Sequence, residues 1–319
     1  MGEQRLNRFI EIETLTASGM LREYDPSLKL ESIMPIHSGM STSNYVLSAK
    51  GRKYLLKVYL DSQSDTGKVE QSMYDYLAGK ISVPSVLYYN QANPRSPYHF
   101  AIIEYIEGTT LNEYILEQNR YPVELMSQIA GSLAVIHNKK YACRGLLAPD
   151  FQIKRTFRPV KEQIVYLLSD NAGKHLPSSV RNKLLHFAET REDIFASIES
   201  LFVLSHGDFS YNNMIVSPEG KVFLIDFEYA MATNRYHDIG HFFRRKSDEV
   251  EQLIGQGVYK RFADAYNEAS EISLPENWFQ LAKVVDIPAM LGLINREQVP
   301  QEWIDDISYD IDTFFEKIM

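Results

Sequence analysis

The segment from residue 206 to residue 228, HGDFSYNNMIVSPEGKVFLIDFE, constrains the fold more than any other part of the chain. Two short apolar runs flank a Ser-Pro-Glu-Gly sequence, a pattern that predicts a β-hairpin. Counted from the Glu-Gly pair, Asn213 lies six residues back and Asp226 six residues on, so the two meet at the open end. Asp208 lies on the loop that leads to the same end. One amide and two carboxylate oxygens converge there, and Mg²⁺ prefers such ligands.

Each of these three residues also has a structural interpretation. Asp208 and Asn213 could cap turns, and Asp226 could be a solvent-exposed residue at the end of a strand. Taken together they indicate more, because Asp208 and Asn213 are five residues apart and Asp226 follows thirteen residues later. In kinase catalytic loops an Asp accepts the hydroxyl proton, an Asn five residues on holds Mg²⁺, and a later Asp is the second ligand. The spacing therefore predicts phosphoryl transfer.

Composition limits the classes of protein to which the chain can belong. Its 319 residues, 24% of them charged, fit a soluble globular protein that is large enough for two lobes or domains. No uncharged apolar run is long enough to predict a membrane span, and the charged N-terminus does not resemble a signal peptide. A net charge of −9 without a dense basic run argues against a nucleic-acid partner and weakly favours a cationic substrate. Cys143, the single cysteine, excludes an intrachain disulfide. We therefore expect a cytoplasmic protein without a membrane partner.

The chain divides into a strand-rich part and a larger helical part. SNYVLSAK and KYLLKVYL predict a hairpin, KVEQSMYDYLAGK predicts a helix, and HFAIIEYIEG predicts a further buried strand. Beyond this strand the apolar residues recur mostly at helical spacing. We therefore expect an α+β chain with a small N-terminal lobe over residues 1–103, a hinge over 104–108 and a helical C-terminal lobe over 109–319.

Three motifs, HGDFSYNN, LIDFE and HDIGHF, resemble those of the aminoglycoside phosphotransferase family. The resemblance extends over nearly the whole chain and is most specific between His206 and Phe243. It implies a bilobal, protein-kinase-like fold and transfer of the γ-phosphoryl group of ATP to a hydroxyl of a small molecule. It also implies that Asp208 is the catalytic base and that Asn213 and Asp226 hold Mg²⁺.

Four more residues of these motifs are given roles by the resemblance. His206 and Gly207 would shape the catalytic loop. Glu228 lies two residues beyond Asp226, on the same strand face. It would join the metal shell, contact a cationic substrate or remain a solvated surface group. Asp238 would hold the catalytic region through hydrogen bonds.

The resemblance also implies a nucleotide site in the N-terminal lobe. Lys57 in YLLKVYL would bind the phosphates, with Glu70 on the following helix as its acidic partner. A lysine among apolar residues is costly without a partner, but alternation along the strand leaves open whether Lys57 faces water, and Glu70 could be an exposed helix residue. The segment HSGMSTSNYVL would cover the phosphates, although it has one glycine where protein kinases have three. Its expected phosphate donors are Ser41, Thr42, Ser43 and Asn44.

The adenine contacts would come from the hinge, through the backbone of Glu104, Tyr105 and Ile106. ATP is the expected nucleotide, and GTP is left open. A protein kinase is disfavoured because the motifs are HGD and DFE rather than HRD and DFG, and no APE element follows.

The acceptor is the least constrained part of this interpretation. The acidic segment after Pro300 could attract an aminated sugar, or it could be the solvated face of an amphipathic helix. The stretch LIDFEYAMATNRYHDIGHFF also resembles choline and ethanolamine kinases, although these usually have HND in place of HGD. In such an enzyme a cage for a quaternary amine could form, or the same aromatic residues could pack in the core. The residues considered for this cage are Tyr229, Tyr236, Trp278 and Trp303.

A nucleotide sensor or structural protein without turnover is the non-enzymatic alternative. Loss of any one of four residues would indicate it, and the chain retains all four. These residues are Lys57, Asp208, Asn213 and Asp226.

Overall fold

The computed structural model describes residues 8–37, 42–59, 66–90 and 98–318. In chain order the strands are β1 (Ser32–Ile36), β2 (Ser43–Ala49), β3 (Arg52–Tyr59), β4 (Val86–Asn90), β5 (His99–Glu104), β6 (Thr109–Thr110), β7 (Lys140–Tyr141), β8 (Gly145–Leu147), β9 (Ile153–Thr156), β10 (Phe202–Ser205), β11 (Met214–Val216), β12 (Val222–Leu224) and β13 (Met231–Asn234). The α-helices are α1 (Thr14–Tyr24), α2 (Thr66–Leu77), α3 (Leu111–Gln118), α4 (Met126–His137), α5 (Val160–Ser169), α6 (Asn171–His175), α7 (Ser178–Thr190), α8 (Glu192–Ile198), α9 (Tyr236–Phe242), α10 (Asp248–Glu251), α11 (Gln256–Ala269), α12 (Trp278–Leu293) and α13 (Gln301–Ile318).

The first five strands form one antiparallel sheet in the order β1-β2-β3-β5-β4. Leu56 and Val58 of β3 pack on one face together with Leu21 of α1. The sequence did not predict α1, because this part of the chain was interpreted as mostly strand. Since side chains alternate along a strand, Lys57 and Tyr59 lie on the opposite face, towards α2.

The helical part of the chain encloses two further sheets, ordered β7-β10-β13-β8-β9 and β12-β11-β6. One apolar core runs from α2 and β5 through the helices as far as α13. The predicted α+β architecture, with strands first and helices later, is therefore confirmed. Among the described residues, no helix is both long enough and apolar enough to cross a membrane.

The predicted hairpin is formed by β11 and β12. Met214 pairs with Leu224, and this register sets Asn213 opposite Ile225, whose N–H donates to the Asn213 carbonyl oxygen at 3.0 Å. Asp226 therefore lies one residue farther along than the count from the turn indicated. Its φ of 67° is in the left-handed region, which is uncommon for a residue other than glycine. The chain thus leaves the strand abruptly at Asp226.

Helices α9 and α12 approach closely at Gly240. A Cβ atom at this position would lie 2.3 Å from the Ala282 carbonyl oxygen and 3.1 Å from Asp286 Cβ. The first contact is with backbone, which cannot rotate away. The glycine is therefore required by the distance between the helices rather than by its own dihedral angles.

We expect Gly240→Ala to lower the free energy of unfolding by about 1–3 kcal/mol, because the added methyl group overpacks this contact. Gly131→Ala is the matched control, since a Cβ atom at Gly131 within α4 meets nothing within 4 Å. This control should be stabilised by about 0.5–1 kcal/mol. Urea denaturation of both variants measures the difference, and equal effects would contradict the account of this contact.

Candidate active site

A buried ammonium group connects the sheet, α2 and the hairpin. Lys57 Nζ lies 2.8 Å from Glu70 Oε2, 2.7 Å from Asp226 Oδ1 and 3.4 Å from Glu228 Oε2. Lys57 is only 3% exposed. Burial alone would lower the pKa of Lys57, but the charges of Asp226, Glu70 and Glu228 raise it well above its usual value. The lysine is therefore cationic at neutral pH.

Oxygens of the three carboxylates around Lys57 lie within 4.8 Å of one another. Three acidic groups around a single ammonium group leave this region able to accept a second cation. Carboxylate oxygens are hard ligands of the kind that Mg²⁺ and Ca²⁺ prefer. The chemistry of Glu70, Asp226 and Glu228 thus fits a divalent cation near Lys57.

Two buried tyrosines hold the carboxylate of Glu70. Tyr59 OH donates to Glu70 Oε2 at 2.8 Å, and Tyr74 OH donates to Glu70 Oε1 at 3.2 Å. Burial, followed by the negative charge of Glu70, raises the pKa of both phenols well above the usual value. Both hydroxyls therefore remain protonated donors. Tyr74 OH also accepts a hydrogen bond from the backbone N–H of Asp226 at 3.0 Å.

The loop before the hairpin carries Asp208, and Asn213 closes this loop. Asn213 Nδ2 donates to the Asp208 carbonyl oxygen at 2.9 Å, so its Oδ1 atom remains for a cation. His206 Nδ1 accepts from the Asp208 N–H at 3.3 Å, and Nε2 donates to the Ile225 carbonyl oxygen at 3.0 Å. Through these two contacts His206 fastens the loop to the hairpin.

The Asp208 carboxylate is partly open, with 33% of its side chain exposed. Burial raises its pKa, and the nearby charge of Asp226 adds to this effect. A carboxylate with a raised pKa is a better proton acceptor. His241 Nε2 lies 3.4 Å from Asp208 Oδ1. Burial, together with the Arg244 cation, holds the pKa of His241 well below its usual range, so this imidazole is neutral at pH 7.

Asp238 is fully buried and holds the loop that carries Asp208 through hydrogen bonds. Oδ1 accepts from Ser205 Oγ at 2.8 Å and from the Gly207 N–H at 3.0 Å. Oδ2 accepts from the His206 N–H at 2.8 Å and from His137 Nε2 at 3.1 Å. Burial alone would raise the pKa of Asp238, but the His137 hydrogen bond and nearby imidazoles hold it below its usual value.

Gly207 is the point where this loop needs a glycine. Its φ is 85°, and a Cβ atom there would lie 2.0 Å from the Tyr229 carbonyl oxygen. Any larger residue at this position would clash with the backbone of Tyr229. The loop that leads from the Asp238 hydrogen bonds to Asp208 would then have to move.

The expected phosphate donors lie in different places. Ser41 is outside the described residues. Asn44 pairs with Lys57 in the β2–β3 register, and its Oδ1 accepts from Thr42 Oγ1 at 3.3 Å. Ser43 Oγ accepts from the Ile10 N–H at 2.8 Å, so its hydroxyl is directed to the other face of the sheet. The structure therefore brings Asn44, but not the hydroxyl of Ser43, to the side of Lys57.

The expected hinge residues follow the end of β5. The N–H of Glu104 donates to the Ser85 carbonyl oxygen at 2.9 Å, so this donor is engaged within the N-terminal sheet. Tyr105 and Ile106 lie in irregular backbone directly beyond the strand.

The two features considered for a cationic acceptor are used within the fold. In α13, Asp306 and Asp310 lie 3.5 and 4.0 Å from Arg245, and Asp312 lies 2.6 Å from Lys183. The apolar residues of this helix face the core, as the amphipathic interpretation expects. The four aromatic residues considered for a cage do not all share one core: Tyr236, Trp278 and Trp303 are buried, whereas Tyr229 is 43% exposed.

Several residues around the site were missed in the sequence. Tyr59 follows Lys57 by two residues on one strand face, and Tyr74 follows Glu70 by one helical turn, so regular spacing could have identified both. His241 likewise lies three residues after Asp238 on α9. No local pattern connects Arg244, two residues beyond α9, to its ion-pair partner Asp286 on α12, because 42 residues separate them.

The profile of the phosphotransferase enzyme family matches residues 32–281 of the chain. The chain belongs to the phosphotransferase enzyme family. The resemblance based on HGDFSYNN, LIDFE and HDIGHF is therefore confirmed at the level of the family. A search of curated proteins finds no match.

Solved structures of aminoglycoside phosphotransferases share the fold. A thermostable mutant of APH(4)-Ia, in ternary complex with ADP and hygromycin B, is 14% identical and has a TM-score of 0.70. The match covers 94% of this chain and 98% of that chain. APH(2")-IIa in complex with gentamicin is 18% identical, with a TM-score of 0.63 and coverage of 95% and 97%. The kinase-like fold that the resemblance implied is confirmed.

We expect Asp238→Asn to destabilise the protein by about 3–5 kcal/mol, because an amide cannot accept from all four donors around this buried carboxylate. Asp264→Asn is the control, since Asp264 is exposed and pairs with Lys260 on the same helix, α11. This control should stay within about 0.5 kcal/mol of the wild type. Urea denaturation at pH 7 is the measurement. A loss below about 1 kcal/mol in Asp238→Asn would show that the network contributes little.

Proposed function

We propose that this chain is a small-molecule kinase that transfers the γ-phosphoryl group of ATP to a hydroxyl group. One observation carries the proposal: the buried Lys57 ammonium bonds to the Asp226 carboxylate, and Asn213 bonds to the backbone of Asp208, whose carboxylate is partly open. Phosphoryl transfer requires such an arrangement, because its catalysis rests on positioning and on neutralising phosphate charge.

Lys57 would bind the nucleotide through its phosphates. Glu70 holds Nζ from one side, and Tyr59 in turn holds Glu70, so the ammonium group is fixed before a ligand arrives. On binding, Nζ would exchange its contact with Asp226 for phosphate oxygens. Adenine would lie against the backbone of residues 104–106.

Asn213 Oδ1 and the Asp226 carboxylate would hold Mg²⁺, and Glu228 would complete the acidic shell. When bound, the cation supplies positive charge to the β- and γ-phosphate oxygens. The donor set supports this assignment because the ligand atoms are hard oxygens, and those of Asp226 and Glu228 belong to a cluster of carboxylate oxygens within 4.8 Å of one another.

Asp208 would act as the base. Its carboxylate accepts the proton of the acceptor hydroxyl while the acceptor oxygen forms a bond to the γ-phosphorus. The bond from the γ-phosphorus to the bridging oxygen breaks, and ADP leaves with that electron pair. The proton on Asp208 is later released to solvent. Asp238 would support this step as a positioning residue, since it holds the backbone N–H groups of His206 and Gly207.

The acceptor is proposed as a small molecule that bears a hydroxyl group. Two structures with the same fold contain hygromycin B and gentamicin, which supports a ligand of this general kind. A cationic acceptor is not part of the proposal, because Asp306, Asp310 and Asp312 already face basic side chains. We also propose that the chain acts in the cytoplasm, where ATP is supplied.

The test is release of ADP by the purified protein with Mg²⁺ and ATP. The acceptor panel contains aminoglycosides, macrolides, choline, ethanolamine and simple sugars. With the acceptor that reacts, Asp208→Asn should lower kcat by about 10²- to 10⁴-fold, because the hydroxyl proton loses its acceptor. ATP binding should persist in this variant, since Lys57, Asn213 and Asp226 are unchanged.

Asp264→Asn serves as the control, because it also removes one carboxylate and that carboxylate is exposed on α11. Its turnover should match that of the wild type. Wild-type turnover in Asp208→Asn would overturn the role of Asp208. Absence of any Mg²⁺-dependent nucleotide binding in the wild type would overturn the proposed function itself.

A further inference from the structure

The hydroxyl of Tyr74 joins two parts of the site that are far apart in the sequence. It donates to Glu70 Oε1 at 3.2 Å within α2 and accepts from the backbone N–H of Asp226 at 3.0 Å. The contact with Asp226 spans 152 residues. A single buried oxygen thus links the helix that holds Lys57 in place to the proposed metal ligand.

The backbone of Asp226 depends on such a restraint. Its φ of 67° is a conformation that residues other than glycine seldom adopt. The preceding residue, Ile225, still donates its N–H to the carbonyl oxygen of Asn213, directly before β11. Asp226 is the next residue along the chain, and its N–H donates to the hydroxyl of Tyr74 instead. The Tyr74 ring also packs edge-on against Phe227, with the ring centroids 5.4 Å apart.

We propose that Tyr74 is a positioning residue for the metal site. Its hydroxyl fixes the backbone of Asp226 relative to Glu70, and Glu70 in turn fixes Lys57. The separation between the phosphate-binding cation and the metal ligand is thereby set before nucleotide and metal bind. This inference rests on the proposed function, since it assigns a role to Tyr74 in holding the ligand that would bind Mg²⁺.

Tyr59 provides a control within the same site. It is buried like Tyr74, and its hydroxyl donates to the same carboxylate, at 2.8 Å from Glu70 Oε2. Tyr59 comes from β3, and its hydroxyl is bonded to Glu70 rather than to Asp226. Tyr59→Phe and Tyr74→Phe therefore remove the same atom from two buried tyrosines, and each removes one bond to Glu70. The second variant also removes the bond to Asp226.

The experiment is a calorimetric titration of Mg²⁺ into protein that is saturated with a non-hydrolysable ATP analogue. Groups that orient a metal ligand typically alter metal affinity by about 10- to 100-fold when they are removed. We expect Tyr74→Phe to raise the Kd for Mg²⁺ by about this factor, and Tyr59→Phe to change it by less than about threefold. Binding of the analogue without Mg²⁺ should be affected to the same extent in both variants, because both lose a bond to Glu70.

Three outcomes are informative. Equal Mg²⁺ affinity in Tyr74→Phe and Tyr59→Phe, with Mg²⁺ binding to the wild type intact, would overturn the inference. Absence of Mg²⁺-dependent binding in the wild type would overturn the proposed function. Amide hydrogen exchange of the wild-type protein tests the contact without any variant or ligand. The Asp226 amide should exchange within about tenfold of the Ile225 amide, which is bonded to the Asn213 carbonyl oxygen, and exchange at the rate of an unstructured peptide would overturn the inference.

Discussion

The structure depends on the burial of one ammonium group. Lys57 lies among apolar residues of β3, where an unpaired charge would cost several kcal/mol or lose its proton. Its partners come from two other segments: Glu70 from α2, and Asp226 and Glu228 from the chain beyond β12. The sheet, the helix and the hairpin must therefore come together for the charge to be compensated. The same requirement brings the proposed nucleotide and metal groups within a few ångströms of one another.

A second buried charge, the carboxylate of Asp238, supports the loop that carries Asp208. Asp238 accepts four hydrogen bonds, and two of the donors are the backbone N–H groups that lead to Asp208. The loop that carries Asp208 is thus held through its main chain, and the Asp208 carboxylate stays partly open. Lys57 and Asp238 are both charged and buried, but they differ in what they offer a ligand. In the proposed mechanism Lys57 exchanges a carboxylate for phosphate, whereas Asp238 has no capacity left for a further donor.

Some of this could be predicted from the sequence, and the reasons are physical. The hairpin was predictable because a turn between two apolar runs is a local signal, but its register was displaced by one residue. The pairing of Lys57 with Glu70 followed from the family resemblance, since alternation along β3 did not decide which face was buried. Helical spacing could have identified Tyr74 beside Glu70, but not its contact with Asp226, nor the pair of Arg244 with Asp286, because these contacts join segments whose approach depends on the packing of whole elements. The helix α1 was missed because only a few apolar residues mark its buried face.

The central claim is that the oxygens beside Lys57 hold a divalent cation when nucleotide is bound. The most direct test is a crystal structure with Mn²⁺ and a non-hydrolysable ATP analogue, in which anomalous scattering locates the metal. The account predicts one Mn²⁺ ion or more, bound to Asn213 Oδ1 and the Asp226 carboxylate, with Lys57 Nζ on phosphate oxygens. Nucleotide bound with the metal away from both residues, or with Lys57 still bonded only to carboxylates, would contradict the account.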